Sequence, residues 1–237
     1  MTASFPAHAQ RGALDATPAA QTRIWDLPTR VFHWTLAVAV IAQIATGFGG
    51  AMEWHFRIGY ALLALLLFRI AWCFVGGRWS RFSSFLYSPR ALGDYLRGRA
   101  HPDHLVGHSP LGALSVFALL LLLAVQVATG LVADDEIAAS GPLSRFVSGA
   151  IVGAATHWHA APGKWIVIGL VSLHVLAILF YVGLRRQRLV RPMITGDKRL
   201  ADGGTAPSRD DAASRLLAMA VFAACAAFAT WIASLRP

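Results

Sequence analysis

Nine histidines are spread along the 237-residue chain, and four fall in or at the ends of long apolar stretches: His33, His55, His159 and His174. Ionisable groups at membrane depth are costly and tend to be functional. Taken one at a time, each is as readily a hydrogen-bonded structural residue; as a set they pair by depth. His55 and His159 each open an apolar stretch running in the same direction. His174 follows His159 by fifteen residues, about 22 Å along an α-helix and about 60° around it, which puts it at the level of His33. The pairs His55 with His159 and His33 with His174 each draw on two helices. Two neutral imidazoles reaching one iron from opposite faces are the ligand set of a b-type haem. Two such haems at two levels would make an electron path through the molecule.

The elements that position these residues are read from hydropathy. Hydrophobic types make up 56% of the chain and charged types only 14%, against about 25% charged in a soluble domain. Five stretches (31–50, 56–76, 111–133, 164–184 and 213–235) are apolar over about 20 residues, the length of a helix that crosses a bilayer. This excludes a water-soluble enzyme, a disulfide-rich secreted domain and a disordered chain. The expected fold class is an all-α integral membrane protein with five transmembrane helices; the resemblance given below implies a four-helix transmembrane di-haem bundle plus a fifth C-terminal transmembrane helix.

The net charge of +9 is arranged for a membrane, with no nucleic acid as partner, because each basic cluster flanks an apolar span. Sixteen Lys and Arg fall on one side of the five spans and four on the other, with Arg69 inside a span. The positive-inside rule then places the N-terminus in the cytoplasm and the C-terminus on the outer side of the membrane, with lipid as the surrounding partner. The first span is too long and too far from the N-terminus for a signal peptide, and reads as a retained helix.

Other residues carry weaker signals. Gly59 lies one turn after His55 on the same face, where a porphyrin needs clearance. Arg69 is about 21 Å deeper than His55 and is equally suited to neutralising a haem propionate or to snorkelling toward the inner surface. The strings Gln43-Ile-Ala-Thr-Gly47 and Gln126-Val-Ala-Thr-Gly130 echo one another; such small residues suit close helix packing or room for a flat cofactor. Cys73 and Cys225 lie in separate spans outside any Cys-x-x-Cys-His string, which excludes covalent haem attachment. His157 stands beside His159, and His159 is the preferred outer ligand because His157 lies further out toward the loop. Asp134-Asp135-Glu136 reads as a solvated loop or as a dock for a basic partner such as a c-type cytochrome.

The run Ile24-Trp-Asp-Leu-Pro-Thr-Arg-Val-Phe-His33-Trp34 resembles the opening of the bacterial cytochrome b561 and nickel–iron hydrogenase b-type cytochrome family. Further on, His55-Phe-Arg-Ile-Gly59-Tyr60, Phe68-Arg69-Ile-Ala-Trp72, Gly107-His108-Ser-Pro-Leu-Gly112, Leu173-His174-Val175 and Leu189-Val-Arg-Pro-Met-Ile-Thr-Gly196 are similar to its later motifs. The resemblance covers about residues 23–196. It implies a four-helix core holding two non-covalent b haems that exchange electrons between the quinone pool and a redox partner. Its ligand histidines match His33, His55 and His174, and less cleanly His159, because the family's two histidines on that helix are usually one residue closer together.

The expected organisation is a flexible cytoplasmic tail (1–22), a haem-binding four-helix domain (23–196), a cytoplasmic linker (197–212) and a fifth membrane helix (213–237). The expected function is transmembrane electron transfer through two haem b groups, between quinone and a c-type cytochrome or oxidoreductase. The alternatives are a self-contained quinone oxidoreductase acting on a small outer substrate such as superoxide, and a non-redox transporter using the histidines as ion ligands.

Overall fold

The computed structural model describes residues 20–99, 101, 104, 106–137, 139–200 and 205–236. Among these, five helical segments are long and apolar enough to cross a membrane. They are α1 (Leu27–Phe48), α2 (Met52–Val75), α4 (Pro110–Val132), the pair α5 (Gly149–Ala160) and α6 (Pro162–Gly183), and α8 (Ala212–Ser234). Two short helices, α3 (Pro89–Leu96) and α7 (Val190–Thr195), lie in the connections at one end.

Local chemistry sets the helix ends. Asp26 caps α1 by accepting from the Thr29 N–H at 2.8 Å, and Pro28 sits in the first turn, where a missing N–H costs nothing. Ser109 caps α4 ahead of Pro110 in the same way. Asp211 caps α8 through the Ser214 N–H. α1 therefore begins at Leu27, four residues before the expected boundary, which carries His33 well inside the helix. The turn from α1 to α2 is closed by Gly50 at φ +68°, a conformation open to glycine without a Cβ penalty.

α2 is the hub. Buried positions make up 44% of its most apolar window, against 6–17% for the other spans, so it packs on several sides while the others face lipid on one. Trp72, Phe68 and Leu65 of α2 meet Phe32 of α1 and Ala218 of α8. Leu62 and Leu66 meet Val40, Leu123 and Val167 from α1, α4 and α6. Large apolar side chains such as Val38, Leu121 and Leu179 stay more than half exposed, as lipid-facing positions do. α8 lies along α2 and is pinned at its far end by Arg236, stacked 4.0 Å over the Phe56 ring and 3.7 Å from Glu53.

One polar node ties the basic end together. The Asp26 carboxylate is fully buried and accepts from Gly77 N–H at 3.0 Å, Ser80 Oγ at 2.7 Å and Trp72 Nε1 at 3.3 Å, besides the Thr29 N–H. It joins the start of α1 to the end of α2.

Two short strands lie at the boundaries of the expected division of the chain. The boundary at 22/23 runs through a strand, β1 (Ala20–Arg23), and the expected linker at 197–212 opens with another, β2 (Asp197–Leu200). They pair antiparallel, Arg23 opposite Asp197. Asp210, at the end of that stretch, binds Arg23 Nη1 at 2.7 Å, Arg215 Nε at 3.0 Å and the Leu27 N–H at 3.1 Å. Burial pushes the Asp210 carboxyl up, but these donors and the Arg23 charge outweigh it and hold the group below the usual carboxylate range. The remainder of the expected tail, residues 1–19, lies outside the described residues.

Candidate haem sites

At the acidic-loop end of the bundle, His55 stands in the first turn of α2 and His159 near the end of α5. Their ring centroids are 6.0 Å apart and their planes nearly perpendicular, at 86°. Two metal–imidazole bonds of about 2 Å each, plus the half-width of each ring, add to about this separation. The two imidazoles line a cavity of about 290 Å³ between α1, α2, α4, α5 and α6, together with Gly47, Gly59, Tyr60 and Gly130.

Each ring is held from behind in the same manner. His55 Nδ1 lies 3.1 Å from the backbone oxygen of Gln43, and His159 Nδ1 lies 2.9 Å from that of Gln126. Both carbonyls come from the echoed strings on α1 and α4. The fourth residue after each glutamine is the glycine against which the imidazole rests. A Cβ on Gly47 would stand 3.1 Å from His55 Cε1, and one on Gly130 only 2.7 Å from His159 Cε1. These glycines therefore make room for the imidazoles themselves. An Nδ1–H donated to a carbonyl fixes the tautomer and leaves Nε2 as the ligand atom. In this conformation the Gln43 amide donates to His55 Nε2 at 3.0 Å, so ligation there requires that side chain to turn aside. The Gln43 and Gln126 Oε1 atoms and the Tyr60 hydroxyl are buried without a hydrogen-bond partner.

His159 is not on the helix of His174. α5 ends at Ala160, Ala161 is non-helical, and α6 restarts at Pro162. The break presses Gly163 against the Gln126 side chain and Trp158. The angular argument from one continuous helix thus does not apply. His159 still comes opposite His55, while His157 is exposed.

Toward the other end stand His33 of α1 and His174 of α6. His174 Nδ1 meets Ser115 Oγ of α4 at 3.2 Å, whereas His33 Nδ1 is buried without a partner. Arg69 is 3% exposed; its guanidinium lies 4.8 Å from the Phe82 ring centroid, and its Nη1 has no hydrogen-bond partner. The side chain stays inside the bundle and does not reach the surface. His108 packs between the Trp25 and Phe85 rings. Burial, then the charges of Arg69, His33 and Lys198, push its imidazole down to about 3, so it is neutral at physiological pH. Gly59 is not required by the protein's own packing, since a Cβ there would meet only Gln43 Nε2, at 3.5 Å. Cys73 and Cys225 are both free.

Sequence reasoning passed over Ser115 and the Gln43 and Gln126 carbonyls. The echo of Gln-x-Ala-Thr-Gly marked the carbonyls; nothing in the sequence marks Ser115.

Apolar spanning helices with histidines turned inward from different helices define a membrane-embedded b-type cytochrome. The prokaryotic cytochrome b561 model matches residues 24–196, and the chain belongs to that family. It is similar to the probable Ni/Fe-hydrogenase B-type cytochrome subunit of Cupriavidus necator, with 27% identity over 76% of this chain and 88% of the relative. The corresponding protein of Rhodobacter capsulatus is 24% identical over 76% of this chain and 82% of its own length. That of Bradyrhizobium diazoefficiens is 24% identical over 76% and 86%. The chain is thus a multi-pass inner-membrane protein that binds haem b and serves electron transfer across the membrane.

Proposed function

We propose that the chain holds two b haems, one between His55 and His159 and one between His33 and His174, and passes electrons between the quinone pool and a redox protein at the outer face. The observation that carries this reading is the facing of His55 and His159, from α2 and α5, across one cavity, with His33 of α1 and His174 of α6 toward the other end of the bundle. Each haem supplies a one-electron ferric/ferrous couple. The chain's own residues do the rest. The Gln43 and Gln126 carbonyls hold the outer imidazoles in one tautomer and orientation. Ser115 Oγ, 3.2 Å from His174 Nδ1, orients that ring. The apolar faces of α1, α2, α4 and α6 exclude water from both pairs. Arg69, a buried cation whose Nη1 has no hydrogen-bond partner among the described residues, is suited to a propionate of the inner group, because a buried charge without a close partner is expensive. Gly59 leaves room for the outer group.

The charge distribution supports a cytoplasmic N-terminus and a periplasmic C-terminus. The relatives' names point to a hydrogenase-type oxidoreductase as the partner class; a c-type cytochrome at the acidic loop 134–136 is the second candidate. A pyridine haemochrome assay on purified protein should give two haems per chain, and a quinol should reduce both in vesicles. One haem or none in fully loaded protein would overturn the two-haem reading. Failure of quinol reduction with both haems present would overturn the quinone step alone.

A further inference from the structure

A second cavity, of about 660 Å³, lies at the basic end of the molecule, away from both histidine pairs. Tyr181, in the last turn of α6, and Ser109, the cap of α4, stand on its wall. Both mark the ends of spanning helices, so the cavity sits at the membrane edge. Arg188, Arg191, Lys198 and Arg199 also line it. The one carboxylate among its lining residues is Asp197, which Arg23 engages at 2.7 Å. The three arginines are exposed at the surface and have no carboxylate partner among the described residues. Neither His33 nor His174 lines the cavity.

The surroundings separate a lipid from a soluble anion. Leu184 is 75% exposed and Ile194 59%, and Leu189 and Val190 are also exposed, interleaved with the arginines along α7 and the approach to it. Exposed apolar side chains alternating with arginines at the level of the helix ends are the pattern of a segment lying in the headgroup region. Basic pockets between membrane helices suit anionic headgroups.

We propose that this cavity binds the headgroup phosphate of an anionic phospholipid, with Arg188, Arg191 and Arg199 as the charge partners and the apolar side chains of α7 against its acyl chains. Native mass spectrometry of the haem-loaded protein in detergent tests this by titrating phosphatidylglycerol against phosphatidylcholine. Phosphatidylglycerol should be retained in preference. Each arginine changed to glutamine should weaken retention about fivefold, and the triple variant R188Q/R191Q/R199Q about a hundredfold, with both haem spectra unchanged. Equal retention by the triple variant and the native chain would overturn the site. Inorganic phosphate displacing the lipid at comparable concentration would show a free-anion site and overturn the lipid source. Loss of the inner haem band in the single variant R188Q, with secondary structure intact by circular dichroism, would assign the arginines to the haem and also overturn it. None of these outcomes depends on the quinone or partner reading.

Discussion

The two ends of the bundle hold their histidines by different means. At the acidic-loop end, the outer end in the proposed topology, both imidazoles rest on backbone carbonyls supplied by the same short string on α1 and α4, with a glycine beneath each ring. At the inner end of that topology one imidazole has a serine hydroxyl and the other an Nδ1 with no hydrogen-bond partner among the described residues, while the charges of buried Arg69 and of His33 both bear on His108. A carbonyl behind an imidazole raises its basicity and favours the more positive iron. A nearby buried cation disfavours it. The outer centre is therefore expected at the lower potential and the inner at the higher, and a redox titration of the native protein should resolve two steps.

The largest effects break the outer cradle outright. His159→Ala should lower the haem count from two to one per chain and keep the inner spectrum, while His157→Ala should keep both. Loss of the outer haem from the His157 variant alone would reverse that ligand assignment. Gly130→Val should act almost as strongly, since even a Cβ meets the imidazole at 2.7 Å, whereas Gly149→Ala, facing open space, should be silent. Gly47→Ala should fall between them.

At the inner end the expected changes are in potential. Arg69→Leu removes a buried positive charge, so the inner midpoint should fall while the outer one stays within error; an unchanged pair of midpoints would detach Arg69 from the inner site. Ser115→Ala removes one hydrogen bond of about 1 kcal/mol. At 59 mV per tenfold for one electron, it should move the inner midpoint by about 40 mV. The smallest effect lies outside the haem sites. The Asp210 carboxyl is depressed in the folded chain, so its contribution is present above the ordinary carboxylate pKa of about 3.9 and is lost as pH falls through the lower folded value. Thermal stability should drop over that acid window in the native chain and less steeply in Asp210→Asn.

Much of this was legible in the residue order. Five runs of about 20 apolar residues are a local property, and each became a spanning helical segment. Depth along a helix is arithmetic, so sorting four histidines into two levels needed no coordinates; the His55 and His159 rings lie 6.0 Å apart. The start of α1 was read four residues late because Asp26-Leu-Pro is polar by hydropathy, although it is a cap followed by proline. The extent of the fourth span was underestimated too, since residues 149–160 continue it as α5 before the break at Ala161.

Composition and periodicity thus determined the membrane class and the number of spans, because these depend on each residue and its near neighbours in the chain. Helix crossing decided the rest. Whether a glycine serves a neighbouring imidazole or another helix, and whether Arg69 reaches water or stays enclosed beside Phe82, depends on which faces meet. The same holds for Asp26, which gathers groups from 46 to 54 residues away, and for the arginines around one cavity. Such contacts join residues far apart in the chain, and their geometry is fixed by the packing of α2 against α1, α4 and α8, which no single stretch of sequence encodes.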